Sequence, residues 1–418
     1  MPERDKLLEE MTDNVASIVL RDNYLQTQAL SVAELGGVHA VPAYARLIQT
    51  LEASGHLNRA VEGLPSDEEL DRRIAAGEGL TRPELAVLLA YSKLRLYEAL
   101  LASDVLDDPV MTEDLVQAFP EQLQQRFGAE IRNHPLRREL IATKLSNAIV
   151  NRGGIPLAFE LAEETGAGLD QVVGAFVVAR EVFNTRALWR LIDSYDYRIA
   201  ADVQIGLHRE AASALKRQIE DILRFSGEGM VPSSMIARLK PGIERLIPQV
   251  EDLLRPEPRA MVEQYRQVLQ ERGTPPDVEQ ALLLLVVLNG GVGVALLAEE
   301  LGKDEADIAH AYTLLGDRLG LDWAAGMASS LMPADPWERL LIAGTAHDFE
   351  RVRLDLIRRL VQAGDGASAQ DIVAQWLDEQ EACANRIRAL VANVRASKPA
   401  TTAKLTHLAS QVRQQLAH

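Results

Sequence analysis

Cysteine occurs once in the 418 residues, at Cys383, so neither an intrachain disulfide nor a cage of thiolate ligands is available. That usage fits a reducing cytosol as the expected compartment. Aromatic residues make up only 5% of the chain, and no stretch of useful length alternates apolar with polar residues, so a β-sheet is not expected. The longest apolar run, Ala281 to Leu288, falls far short of the ~20 residues that a bilayer span needs. Met1 is followed at once by the charged stretch PERDKLLEE, which does not read as a signal peptide. Basic charge is in the minority: 44 Lys and Arg face 61 Asp and Glu, a net charge of −17. A chain of that sign repels nucleic acid phosphates and anionic membrane surfaces, so neither is an expected partner.

What is present favours helix. Ala, Leu, Glu, Arg and Gln dominate, and these straight-chain residues lose little rotamer freedom in a helix. With 47% apolar and 25% charged residues of mixed sign, the chain reads as a folded protein of two or three domains. The expected fold is an all-α, multi-helical bundle. Leu7, Leu8, Met11, Val15, Ile18 and Val19 recur at helical spacing from the outset, so an amphipathic helix begins almost at the first residue. That abrupt start reads as a chain cut in mid-protein. Ser66 with Glu69, and Thr81 with Glu84, form capping-box pairs, and the second opens a helix with Pro83 in its first turn and Leu85, Leu88, Leu89, Leu96 and Leu100 on its buried face.

An internal repeat organises the middle of the chain. GGIPLAFELAEETGAGLDQVVGAF, from Gly153, is similar to GGVGVALLAEELGKDEADIAHAY, from Gly290; Leu161 aligns with Leu297, Gly166 with Gly302, Val172 with Ile308 and Phe176 with Tyr312. The expected segments are an N-terminal helical region 1–130, a first repeat unit 131–230, a proline-punctuated connector 231–275, a second repeat unit 276–365 and a C-terminal helical pair 366–418. In that pair Ile372, Trp376, Cys383, Ile387, Leu390 and Val394 line one helix, and Pro399 separates it from the next.

Four chemical readings compete with plain packing, and each fails on its residues. Gly291 and Gly293 begin a dinucleotide fingerprint, but Leu296 stands where the third small residue belongs, and the matching strand of the first copy would bury Lys144, Asn147 and Arg152. LAEETG and LAEELG resemble the first half of a DNA-reading helix-turn-helix, yet Asp170, Val172, Val173, Phe176, Val177 and Val178 are not residues that read bases. The eight histidines, at 39, 56, 134, 208, 310, 347, 407 and 418, share no helical ligand spacing and read as solvated or capping. Asp104, Asp107, Asp108, Glu113 and Asp114 lack a calcium-loop pattern and read as a solvated turn. Cys383 lies on an apolar stripe and reads as a buried, inert thiol. No catalytic, cofactor-binding or metal-ligating residue is assigned.

Two long strings carry a resemblance. EMTDNVASIVLRDNYLQTQALS, Glu10 to Ser31, and LTRPELAVLLAYSKLRLYEALLASDVLDDP, Leu80 to Pro109, resemble the C-terminal region of the large bacterial NAD-specific glutamate dehydrogenases, as do REVFNTRALWRLID and GDRLGLDW after the two repeats. The resemblance implies a parent enzyme that oxidatively deaminates L-glutamate to 2-oxoglutarate and ammonia with NAD. It also implies that the catalytic lysine and aspartate, and the nucleotide-binding domain, lie upstream, because no lysine here sits in a glycine-rich setting. No cofactor is then expected in this chain. The expected partner is the upstream catalytic domain of the same polypeptide, with a homo-oligomer as a further possibility. Arg21, Asp22, Asn23, Tyr24, Gln26 and Gln28, a polar cluster just after the apolar stripe, are the candidate interdomain contact. The competing reading is a free-standing helical scaffold that binds proteins, for which a polar capping helix at the start is expected instead.

Overall fold

The computed structural model describes residues 2–227, 229–331, 333, 335–364 and 366–416. Helices account for the regular structure, and no strand occurs among the described residues. The chain divides into two compact units, Met1–Ile236 and Ala237–His418.

The first unit contains α1 (Pro2–Glu34), α2 (Gly37–Ala53), α3 (Asp67–Ala76), α4 (Arg82–Leu101), the short α5 (Thr112–Val116), α6 (Glu121–Arg126) and α7 (Gly128–Arg132), then α8 (Arg137–Gly153), α9 (Leu157–Thr165), α10 (Leu169–Val182), α11 (Thr185–Asp193) and α12 (Ala201–Ser226). The start signals read from the sequence are used. Ser66 Oγ accepts the Glu69 N–H, and the Glu84 carboxylate accepts the Thr81 N–H, each satisfying a donor that the first turn leaves open. Helix α4 packs along α8, with Leu88, Leu96, Leu145 and Ile149 fully buried between them, and α10 packs on α12. Each such side chain contributes about 1.5–3 kcal/mol when taken from water. Helix α10 buries Val172, Val173, Phe176, Val177 and Val178, so the supposed recognition helix is core.

Helix α1 lies across α4, α8 and α12. Its N-terminal apolar stripe is only partly covered: Leu7, Met11 and Ile18 are half-buried, while Leu8, Val15 and Val19 are about half exposed and Leu20 more so. Full burial begins at Gln28 and Ala29, although Asn14, Arg21 and Tyr24 already hydrogen-bond to Gln122, Asp193 and Asp196.

The second unit takes in most of α13 (Pro232–Leu246), within which the division falls, followed by α14 (Val250–Leu253), α15 (Pro256–Glu271), α16 (Pro276–Val287), α17 (Gly291–Leu301), α18 (Glu305–Leu319), α19 (Leu321–Ser330), α20 (Pro336–Ala363), α21 (Ala369–Glu379), α22 (Glu381–Ala396) and α23 (Thr402–Leu416). Helix α18 is its hub, touching α17, α20, α21 and α22. The C-terminal segment, expected as a pair, holds three helices. The backbone leaves helical geometry at Gln380 (φ −102°, ψ 33°), where Asp378, Glu379 and Glu381 crowd like charge near a helix C-terminus that favours cations. Cys383 is buried there.

Residues 288–290 form the turn between α16 and α17, inclined at 54°, and Gly291 and Gly293 lie in the first turn of α17. Gly290 adopts φ 79°, and the Tyr312 hydroxyl lies 3.4 Å from where a Cβ would stand. The cavity beside this turn is about 90 Å³, well below the several hundred Å³ typical of ligand pockets, so these residues do not fit a dinucleotide. No single helix among the described residues is long and apolar enough to cross a membrane.

Candidate functional site

The polar residues of α1 meet an ionic network built from the ends of two helices and the body of a third. Arg152 closes α8, Asp193 closes α11, and His208 faces inward from α12. Arg152 donates to both carboxylate oxygens of Asp193, at 3.2 and 2.6 Å, and to Gln28 Oε1 at 3.0 Å. Gln28 Nε2 lies 2.8 Å from His208 Nε2, and His208 Nε2 is 3.3 Å from Asp193 Oδ1. Arg21 reaches Asp193 at 3.3 Å, and Tyr24 donates to Asp196 at 2.7 Å, an acceptor it shares with Gln204. Arg152 holds the Gln28 oxygen and also approaches His208 Nδ1, and a cation beside a buried imidazole favours its neutral form.

The local charges agree with that assignment. Burial pushes the His208 pKa down, and Arg152 adds to this, while Asp193 pulls the other way without prevailing. Burial alone would raise the Asp193 carboxyl, but His208 and Arg152 hold it well below the usual carboxylate range. Burial and the bond to Asp196 raise the Tyr24 phenol. A pH dependence follows. An unfolded histidine takes up a proton near pH 6.5 that folded His208 refuses, so stability falls as pH drops below that value, by at most about 1.4 kcal/mol per pH unit for one proton. Asp193 adds a second loss as pH falls through the ordinary carboxylate range. Urea midpoints measured from pH 8 to pH 4 should show the first decline in the parent chain and lack it in His208→Gln.

Of the six residues expected at this contact, Arg21, Tyr24 and Gln28 enter the network. Asp22 lines an adjoining cleft, Gln26 is half-buried and Asn23 is exposed. The histidine reading changes at one position: His208, expected to be solvated or capping, is buried at 5% exposure because α12 turns it against Gln28 and Asp193. His418 lies outside the described residues. The acidic cluster is likewise consumed by structure. Asp107 pairs with Arg137 and Arg138, Asp108 accepts from the backbone N–H and hydroxyl of Ser233, and Asp114 takes two hydrogen bonds from Arg180. Arg152, Asp193 and His208 sit 41 and 15 residues apart in sequence, with no motif that links them. Only the packing of α12 against both α8 and α11 brings them together.

Among the described residues, Lys93 on α4 is the one strongly perturbed cation near α1. Burial presses its pKa down to about 8, against the pull of Asp22, and its Nζ has no hydrogen-bond partner. Unfolded lysine keeps its proton to about pH 10.4, so stability rises between roughly pH 8 and that value, and at pH 7 the charge is held at a cost. After allowance for solvent screening, Lys93→Met is expected to raise stability by about 1 kcal/mol at pH 7 and to flatten the alkaline rise, as read by urea denaturation.

Comparison with known proteins gives these features a setting. Residues 77–414 match the family described as glutamate dehydrogenase, C-terminal, and residues 1–33 match the family described as bacterial NAD-glutamate dehydrogenase, catalytic domain. The chain is 35% identical over 94% of its length to an NAD-specific glutamate dehydrogenase of Pseudomonas aeruginosa, of which it covers 24%. It is 32% identical over 94% to one from Halomonas elongata, covering 24%, and 31% identical over 98% to one from Mycobacterium tuberculosis, covering 25%. The chain thus spans about a quarter of the length of the curated relatives it matches. With most of its residues inside the first of those families, this all-helical chain belongs to the glutamate dehydrogenase C-terminal family and corresponds to the C-terminal region of the bacterial NAD-specific enzymes.

Proposed function

We propose that this chain is the helical region that follows the catalytic domain in an NAD-dependent glutamate dehydrogenase, and that it positions that domain rather than supplying reacting groups. The parent reaction is the conversion of L-glutamate, NAD and water to 2-oxoglutarate, ammonia and NADH, in the cytoplasm. One observation carries the reading: α1, nearly coextensive with the match to the catalytic family, is fastened through Arg21, Tyr24 and Gln28 to Arg152, Asp193, Asp196 and His208 of the C-terminal family segment. The exposed face of Leu8, Val15, Val19 and Leu20 is then where the rest of the catalytic domain packs, with Asn23 and Gln26 on its polar rim. NAD belongs to that upstream domain, and no step of the chemistry is assigned to residues of this chain.

The test is reconstitution. The purified chain, mixed with glutamate and NAD, should form no NADH; adding the upstream portion should restore turnover. Introducing two charges on the apolar face of α1, Leu8→Asp with Val19→Asp, should weaken that association without altering the urea midpoint of the chain, because both side chains are already about half exposed. Turnover by the chain alone would overturn the reading, as would association that ignores the α1 substitutions.

A further inference from the structure

A cleft of about 220 Å³ opens beside the ionic network, between α1, α8 and α11, with α5 and α10 at its base. Helix α8 presents Lys144, Asn147 and Asn151 at spacings of three and four, which places them on one face. Helix α11 presents Arg186 and Arg190 in the same way, and α1 adds Arg21 and Asp22. Much of the charge here is already matched. Asp114 accepts from Arg180 at 2.9 and 2.7 Å and from Arg186 at 3.1 Å, and Glu181 receives both guanidinium groups at 2.9 and 3.4 Å. Arg152 is matched by Asp193.

Three cations remain beyond those pairs, against the one carboxylate of Asp22. Lys144 and Arg190 have no acidic partner within ion-pair distance among the described residues. Arg21 has only a share of Asp193, which Arg152 already occupies, and keeps 58% of its side chain in water. Asn151 also lines the cleft and leaves a buried side-chain oxygen with no hydrogen-bond partner; turned over, the same amide would offer N–H donors at that place. Such a local excess of donors, in a chain whose net charge is −17, is the reverse of the surrounding field. The volume is too small for a nucleotide and suits a compact ligand.

We infer that this cleft binds a small dianion carrying two oxyanion charges, held by Lys144 and Arg190 with Arg21 and Asn151 beside them. Its chemistry is shared by phosphate and by short dicarboxylates, and the binding reading stands apart from the reconstitution reading above. Two anions separate the sources: inorganic phosphate and succinate, each titrated calorimetrically into the 418-residue chain at ionic strength held constant with potassium chloride. Saturable binding of either one is expected, and Lys144→Ala and Arg190→Ala should each weaken it about tenfold, the loss of one charge-assisted hydrogen bond. Neither substitution should move the urea midpoint measured without anion, since neither side chain has a partner to lose. Arg217→Ala, an exposed cation on α12 away from the cleft, should leave the affinity unchanged. Absence of saturable binding by both anions overturns the proposal, as does equal weakening by Arg217→Ala. If neither anion binds but Lys144→Ala weakens association with the upstream portion, the cleft receives an acidic protein segment and the proposal likewise falls.

Discussion

Asp114→Ala is expected to destabilise the first unit by about 3–5 kcal/mol, the cost of stranding a buried cation whose partner has been removed. Arg180 is 2% exposed and Asp114 is 5% exposed, so water cannot replace the lost carboxylate. Glu181 still meets Arg180 Nε, at 2.9 Å, but both terminal nitrogens lose their acceptors, and Arg186 loses one of its own. The pair is not the same as a net gain over apolar packing, since both ions had to leave water first. Asp114→Leu combined with Arg180→Met should therefore recover most of the loss. Hydrogen exchange at residues 172–182 reads the effect directly: protection should fall by two orders of magnitude or more in the single variant and return in the double. A single variant as protected as the parent would show that Glu181 alone suffices for Arg180.

Gly316→Ala, in the last turn of α18, is expected to cost about 2–3 kcal/mol, although alanine is the better helix former by roughly 0.5–1 kcal/mol. The added methyl group would stand 2.6 Å from Asp322 Cγ, closer than carbon atoms approach. Asp322 cannot retreat freely, because its Oδ1 accepts at 2.7 Å from Arg353, a guanidinium only 4% exposed that also covers the Tyr312 ring at 4.0 Å. Pushing the carboxylate aside exposes the same penalty as at Arg180, and that penalty exceeds the propensity gain. A double-mutant cycle decides the cause. In an Asp322→Ala background the Gly316→Ala change should become neutral or stabilising. If it remains costly there, the crowding comes from some other neighbour.

The fold was legible where one element carries its own signal. Thr81 with Glu84 marked the start of α4, and the 3.6-residue spacing of Leu85, Leu88, Leu89, Leu96 and Leu100 marked its buried face. Leu161, Leu297, Val172 and Ile308, read as apolar helix positions, are all buried, and Gly166 (φ 76°) and Gly302 (φ 62°) each end a helix; these features are common to amphipathic helices and do not establish two related repeat units. The site was legible only in part, because its geometry depends on tertiary pairing. Arg21, Tyr24 and Gln28 stood out as polar residues after an apolar stripe, whereas Arg152, Asp193 and His208 each looked like ordinary surface positions. Nothing in their local pattern says that these three helices converge there. The break at Gln380 was missed for a related reason: apolar spacing continues across it, and only the crowded acids beside it mark the interruption.

The continuity of α1 has a mechanical consequence. From Gln28 to Leu8 the helix runs twenty residues, roughly 30 Å at the α-helical rise. A rod of that length pivoting at the Arg152–Asp193–His208 anchor would swing its far end by about 2–3 Å for a tilt of only 5°. Whatever shifts the balance of charges at the pivot would thus reach the outer surface as a displacement several times larger than its origin.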